Sequence, residues 1–281
     1  MKILKFSLLL VHLFLIACAN PVKDNFQPYQ NRVDLDAKKK IVIFFDGTAN
    51  DFDSETNVSR LYHMIKNQDD SNISTLYVEG VGTGGRALGM LFGYGIGADV
   101  KSAYSFLSEH YNKGDDIYLV GFSRGAYAAR ILAGLVYVAG IVDSENISDE
   151  HRRYLVNELY TAYKGGVGTK NAVRDTKVGI VEILDSVRES SGVQFSVELE
   201  ARIKAMALWD TVEALGLPNY KEDIGYVNER YADQICNVDK VFHAVSLDDN
   251  RARMYTPILM TYRGINRLCT KVDVNEVVEE V

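Results

Sequence analysis

Positive charge is in deficit in this sequence: 31 Lys and Arg stand against 38 Asp and Glu, for a net charge of -7. A chain with that balance presents no basic stripe to a phosphate backbone, which argues against nucleic acid as a partner. Cysteine is scarce, with three in 281 residues. None of Cys18, Cys236 and Cys269 has another Cys or a His at close metal-ligand spacing, so no metal site is expected. No G-x-x-x-x-G-K-[ST] pattern occurs, so the glycine-dense stretch Gly80–Gly97 reads as a loop close to a site rather than a phosphate cradle, and no cofactor is expected. Internal repeats and low-complexity tracts are also lacking. Histidine is limited to five residues, which becomes important below.

What is present is 47% hydrophobic and 25% charged, enough apolar material for one large core and one domain. The N-terminus carries Lys2 and Lys5 ahead of an apolar stretch from Phe6 to Ala17, and those twelve residues are too few for a membrane-spanning helix. Leu15-Ile16-Ala17-Cys18 resembles the bacterial lipobox. That resemblance implies a signal peptide over 1–17, acylation of Cys18, and a membrane anchor built from several acyl chains. Each chain would contribute roughly 0.8 kcal/mol per buried methylene. The expected location is the bacterial cell envelope, on the periplasmic side of the outer membrane. An ordinary cleaved signal with an incidental cysteine is the plainer alternative. In an oxidising compartment Cys236 and Cys269 could pair, but spacing alone does not decide it.

Residues 18–39 are polar, include Pro21 and Pro28, and read as a tether, with the domain spanning 40–281. Lys40–Phe45 reads as a buried strand ending at Asp46-Gly47-Thr48. Val58, Leu61, Tyr62 and Ile65 recur at helical spacing, followed by a strand over Thr75–Val78 and a helix with Val100, Tyr104, Leu107 and Tyr111 on its apolar face. Further strands are expected at Ile117–Val120, Ile203–Leu208 and Val241–Leu247, with a long apolar helix over Ala126–Ala139. Apolar strands alternating with helices predict an α/β fold, a mostly parallel sheet covered on both faces. The polar insertion at about 142–200 carries one amphipathic helix, marked by Ile180, Ile183, Leu184 and Val187. It would cap the core or, alternatively, act as a lid over an apolar substrate.

Gly121-Phe122-Ser123-Arg124-Gly125 carries the chemistry. A strand precedes Ser123 and a helix follows, and the two glycines remove side chains where a sharp strand-to-helix turn would expose a nucleophile. The backbone N–H of Arg124, heading the helix, would face a developing oxyanion. The alternative is a purely structural turn. A serine needs an imidazole oriented by a carboxylate. His12 lies in the signal; His63 and His110 precede Ser123 on helices; His151 sits in the insertion. His243 alone fits the chain order Ser, acid, His. Asp210, at the end of an apolar strand in Trp209-Asp210-Thr211, is the candidate acid, or else caps the following turn.

Six segments together resemble one family of α/β-hydrolases, whose characterised members are type VI secretion phospholipase effectors. They are Phe44-Phe45-Asp46-Gly47-Thr48, Gly80-Val81-Gly82-Thr83, Gly114-Asp115-Asp116-Ile117-Tyr118, Gly121 through Tyr127, Trp209-Asp210-Thr211-Val212, and His243-Ala244-Val245-Ser246-Leu247-Asp248. The resemblance implies metal-free hydrolysis of phospholipids or similar lipid esters, with Ser123 as nucleophile, Asp210 as triad acid, and Asp46, Gly47 and Thr48 lining the site beside the oxyanion hole. It departs at the C-terminus. Val274-Asn275-Glu276-Val277 looks like the start of a strand that, in the family, precedes a Gly-Val-His-Ser-Asp-Val-Gly-Gly type loop, and this sequence reads as shortened there. Two readings stay open: His243 is the base of an esterase, or the chain is a catalytically silent, membrane-tethered binding protein. Protein partners are not legible.

Overall fold

The computed structural model describes residues 38–80, 82, 95–144, 146–166, 172–212 and 236–246. In chain order the elements are β1 (Lys40–Phe45), α1 (Asn57–Lys66), β2 (Ile73–Val78), α2 (Ile96–His110), β3 (Asp116–Phe122), α3 (Arg124–Ala139), β4 (Ile141–Val142), α4 (Asp149–Gly166), α5 (Ala172–Ser191), β5 (Val197–Glu198), β6 (Ile203–Trp209) and β7 (Val241–Ala244). Among the described residues the main sheet has five strands, in the order β2-β1-β3-β6-β7. Every pairing in it is parallel. The fold is therefore α/β, with the topological switch point between β1 and β3. At such a point the chain leaves neighbouring strands in opposite directions and opens a crevice at their C-terminal ends.

β1 is apolar on both faces because both are covered. Ile41, Ile43 and Phe45 join the larger core cluster with α2 and α3. Val42 and Phe44 pack with Val58 and Tyr62 of α1 on the other face. α1 begins where the Thr56 side chain accepts the Ser59 N–H at 3.0 Å, an N-cap that sets the helix start. α3 is buried almost all round, as expected of a helix apolar on every side.

The 142–200 region holds two helices where periodicity indicated one. In α4, the buried Leu155, Val156, Leu159 and Tyr163 are interleaved with charged residues, which hid their stripe. Both helices pack against α2, α3 or each other, and their apolar residues Leu159, Ile180, Leu184 and Val187 merge into the larger core. They cap the core. The short antiparallel pair β4–β5, which the sequence pattern did not reveal, closes this layer. β7 also differs from expectation, ending at Ala244 where the apolar pattern suggested Leu247.

Among the described residues no helix is long and apolar enough to cross a membrane. Cys18 and the tether lie outside the described residues, as do Cys269 and Val274–Val277. Cys236 is disulfide-bonded. Both other cysteines lie outside the described residues.

Candidate active site

Ser123 sits between β3 and α3 with φ 55° and ψ -123°. The Cβ of an L-residue crowds the flanking backbone there, so the conformation persists only where surroundings over-determine it. They do so here. The Ser123 N–H donates to the Trp209 carbonyl at 2.8 Å, and the Ser123 carbonyl accepts from Val212 N–H at 3.2 Å and Tyr127 N–H at 3.3 Å. The flanking glycines are required by contact. A Cβ on Gly121 would fall 2.5 Å from Ala126 Cα, and one on Gly125 would fall 2.3 Å from the Phe45 carbonyl oxygen. This is a strained strand-to-helix elbow that projects a hydroxyl from the C-terminal edge of the sheet.

Asp210 emerges from the neighbouring strand. Phe122 pairs with Trp209 in register, so Ser123 and Asp210 leave β3 and β6 side by side. Asp210 also has positive φ, 47°. Two strained non-glycine residues at adjacent strand ends mark this edge as a functional candidate. The Asp210 carboxylate accepts the Ser246 N–H at 2.7 Å, and its own N–H donates to the Ala244 carbonyl at 2.8 Å.

His243 is not brought to Ser123. It pairs with Leu208, two register steps short of the level of Ser123 and Asp210, and β6 lies between its strand and β3. That places it about 10 Å across the sheet and about 7 Å along it from the elbow, beyond direct hydrogen-bond reach. Its Nε2 lies 3.0 Å from the Thr211 hydroxyl. Burial, then the Arg130 charge, push the imidazole below its usual pKa, with Asp210 opposing. The ring is thus held toward its neutral, basic form. The other described imidazoles are engaged elsewhere: His63 with the Phe52 carbonyl, His110 with that of Phe106, and His151 with Ser148.

The Gly47–Thr48 loop faces the elbow from β1, across the switch point. Gly47's N–H is taken by the Asp46 carboxylate at 2.7 Å. The Thr48 hydroxyl accepts a hydrogen bond from Arg124 Nε, so the loop is pinned to the residue after the nucleophile. Burial lowers the Arg124 guanidinium pKa while Asp99 opposes the shift. A small crevice beside the elbow is lined by Asp46, Glu79, Asp99 and Arg124 together with the apolar Phe45, Val78 and Ile96. No group of three or more His, Cys, Asp or Glu among the described residues could hold a metal ion.

Residues 39–278 match the family model described as the T6SS phospholipase effector Tle1-like catalytic domain. The chain belongs to this family. An uncharacterized protein of Saccharomyces cerevisiae, YEL023C, is 27% identical to it over 243 residues, covering 78% of this chain and 33% of that protein. The chain thus spans a third of the length of this curated relative. A lipase/esterase from Lactobacillus plantarum is similar with 13% identity, 79% and 84% of the two chains covered, and a TM-score of 0.31. Acetyl xylan esterase 1 from Thermoanaerobacterium sp. shows 12% identity, 86% and 76% coverage, and a TM-score of 0.30.

Within this Tle1-like domain, sequence reasoning located Ser123, Asp210, Arg124 and the Asp46–Thr48 loop on one edge. It missed Thr211, which holds the His243 ring, and Tyr77 and Thr56, which hold Asp46. Thr211 stood beside Asp210 in the same motif. Tyr77 had no signal beyond its position near the end of a strand.

Proposed function

We propose that this domain is a serine ester hydrolase acting on phospholipids or related lipid esters, with Ser123 as nucleophile. The observation that carries the reading is the strained elbow at Ser123, sterically enforced by Gly121 and Gly125 in a chain of the Tle1-like phospholipase family. Ser123 Oγ attacks the ester carbonyl as an imidazole takes its proton, and the tetrahedral oxyanion is received by the N–H groups of Arg124 and Thr48. The collapsing intermediate releases the alcohol, which takes the proton back from the imidazolium, and water then hydrolyses the acyl-enzyme by the same steps. Asp210 orients the imidazole and balances its charge. For His243 to serve as base it must leave Thr211 and the end of β7 must move toward the elbow.

Acylation of Cys18 would place this activity at a bacterial envelope membrane. The lipobox-like Leu15–Cys18 supports it, and the disulfide at Cys236 fits an oxidising compartment. Palmitate incorporation that persists in Cys18→Ala would refute the anchor. The esterase reading is tested with a short-chain p-nitrophenyl ester: the purified mature protein hydrolyses it, and Ser123→Ala abolishes turnover. Turnover surviving that substitution would sink the reading. The engagement of His243 by Thr211 favours a second reading, a silent lipid-binding domain. That domain would bind phospholipid vesicles without turning over ester.

A further inference from the structure

The Asp46 carboxylate is 3% exposed and sits at the base of the loop that faces the elbow. Burial of a carboxylate is costly unless its lone pairs are met. Here Oδ1 accepts the Gly47 N–H at 2.7 Å, while Oδ2 accepts the Thr56 hydroxyl at 2.6 Å and the Tyr77 hydroxyl. All three of these donors are neutral groups. Tyr77 is itself immobilised. It pairs with Phe44 in register, its ring lies 5.0 Å from that of Tyr62, and Phe52 meets it edge-on at 6.4 Å. Burial and the neighbouring Asp46 charge raise the phenol pKa, so the hydroxyl stays a donor.

The loop above this carboxylate has little slack. A Cβ on Gly80 would fall 1.6 Å from the Gly47 carbonyl oxygen, and one on Gly47 would fall 2.6 Å from the Phe122 ring. Asn50 N–H closes the turn onto the Gly47 carbonyl at 3.0 Å, and Gly80 N–H donates to the Asn50 carbonyl at 2.8 Å. The Asp46 carboxylate holds the N–H of the Asp46–Gly47 peptide, through which the chain enters this loop, so rotation of the carboxylate would release that N–H at the loop's entry.

Building on the serine-hydrolase reading above, we infer that Tyr77 is a positioning residue for the oxyanion loop, acting through Asp46 on the Gly47 N–H at the loop's entry. Preorganised donors contribute because they need no reorientation during reaction, and removing one outright costs about 10²–10³ in kcat. Loosening one through its support should cost less.

The test compares Tyr77→Phe with wild type in the full mature protein, by p-nitrophenyl butyrate kinetics and by NMR hydrogen exchange of the Gly47 amide. The expected result is kcat lower by about tenfold with KM within twofold, together with Gly47 exchange faster by about tenfold. Thr56→Val, which removes another donor from the same oxygen, moves both readouts the same way. An unchanged Gly47 exchange rate in Tyr77→Phe overturns the inference, as does unchanged kcat in an active enzyme. If the wild type turns over no ester, the serine-hydrolase reading fails, and the Gly47 exchange rate alone decides whether Tyr77 holds the loop.

Discussion

Replacing Ser123 by glycine should make the protein more stable than replacing it by alanine. Both changes delete the hydroxyl, and both leave the backbone bonds of residue 123 to Trp209, Tyr127 and Val212 in place. They differ only in the Cβ, which at φ 55° and ψ -123° is the atom that makes the conformation unfavourable. Relief of that strain is worth about 1–3 kcal/mol. Against it stands the greater freedom of glycine in the unfolded chain, about 0.4–1 kcal/mol. The balance favours Ser123→Gly over Ser123→Ala by up to about 2.5 kcal/mol, or a few degrees in Tm for a domain of this size. Urea unfolding of the two variants at equal m-value reads this difference directly. A glycine variant less stable than the alanine variant would show that Ser123 is not strained, and the elbow argument would lose its physical basis.

Two further outcomes follow from the same edge of the sheet. Gly125→Ala places a Cβ 2.3 Å from the Phe45 carbonyl oxygen and 2.5 Å from that of Asp46, forcing β1 and α3 apart. It should cost about 1–3 kcal/mol in stability and on the order of a hundredfold in ester turnover, measured by thermal unfolding and initial rates. If His243 is the base, activity should persist as pH falls to 6.5 and be lost only below it, because burial and Arg130 lower the imidazole pKa more than Asp210 raises it. Folding is linked with the same sign. The unfolded imidazole takes up a proton near pH 6.5 while the folded one resists it, so stability declines as pH falls from 6.5 toward the folded pKa. An acid limb centred above 6.5 in kcat/KM would assign the base to another group.

Hydrophobic patterning made the framework legible because strands buried on both faces are written as unbroken apolar runs. β1, β3 and β6 lie where those runs lie, and helix α3 follows the elbow as the glycine spacing required. Ser123 and Asp210 were legible for the same reason: each ends an apolar strand, and adjacent parallel strands carry such ends to one edge. The exact level of His243 against the elbow was not legible. It depends on where β7 stops and on its register against β6, and Val245 continues the apolar pattern past the last paired residue, Ala244. α4 was hidden by charges between its buried positions. The Asp46 network escaped notice because it joins residues 10 and 31 positions apart, through the N-cap of α1 and, for Tyr77, the β1–β2 register.

The central claim is that Ser123 is an activated nucleophile. Reaction of the purified protein with a fluorophosphonate, mapped by peptide mass, tests it most directly. The account predicts a single adduct on Ser123, formed at neutral pH and absent from Ser123→Ala. Failure of Ser123 to react, or an adduct on another residue, would contradict it.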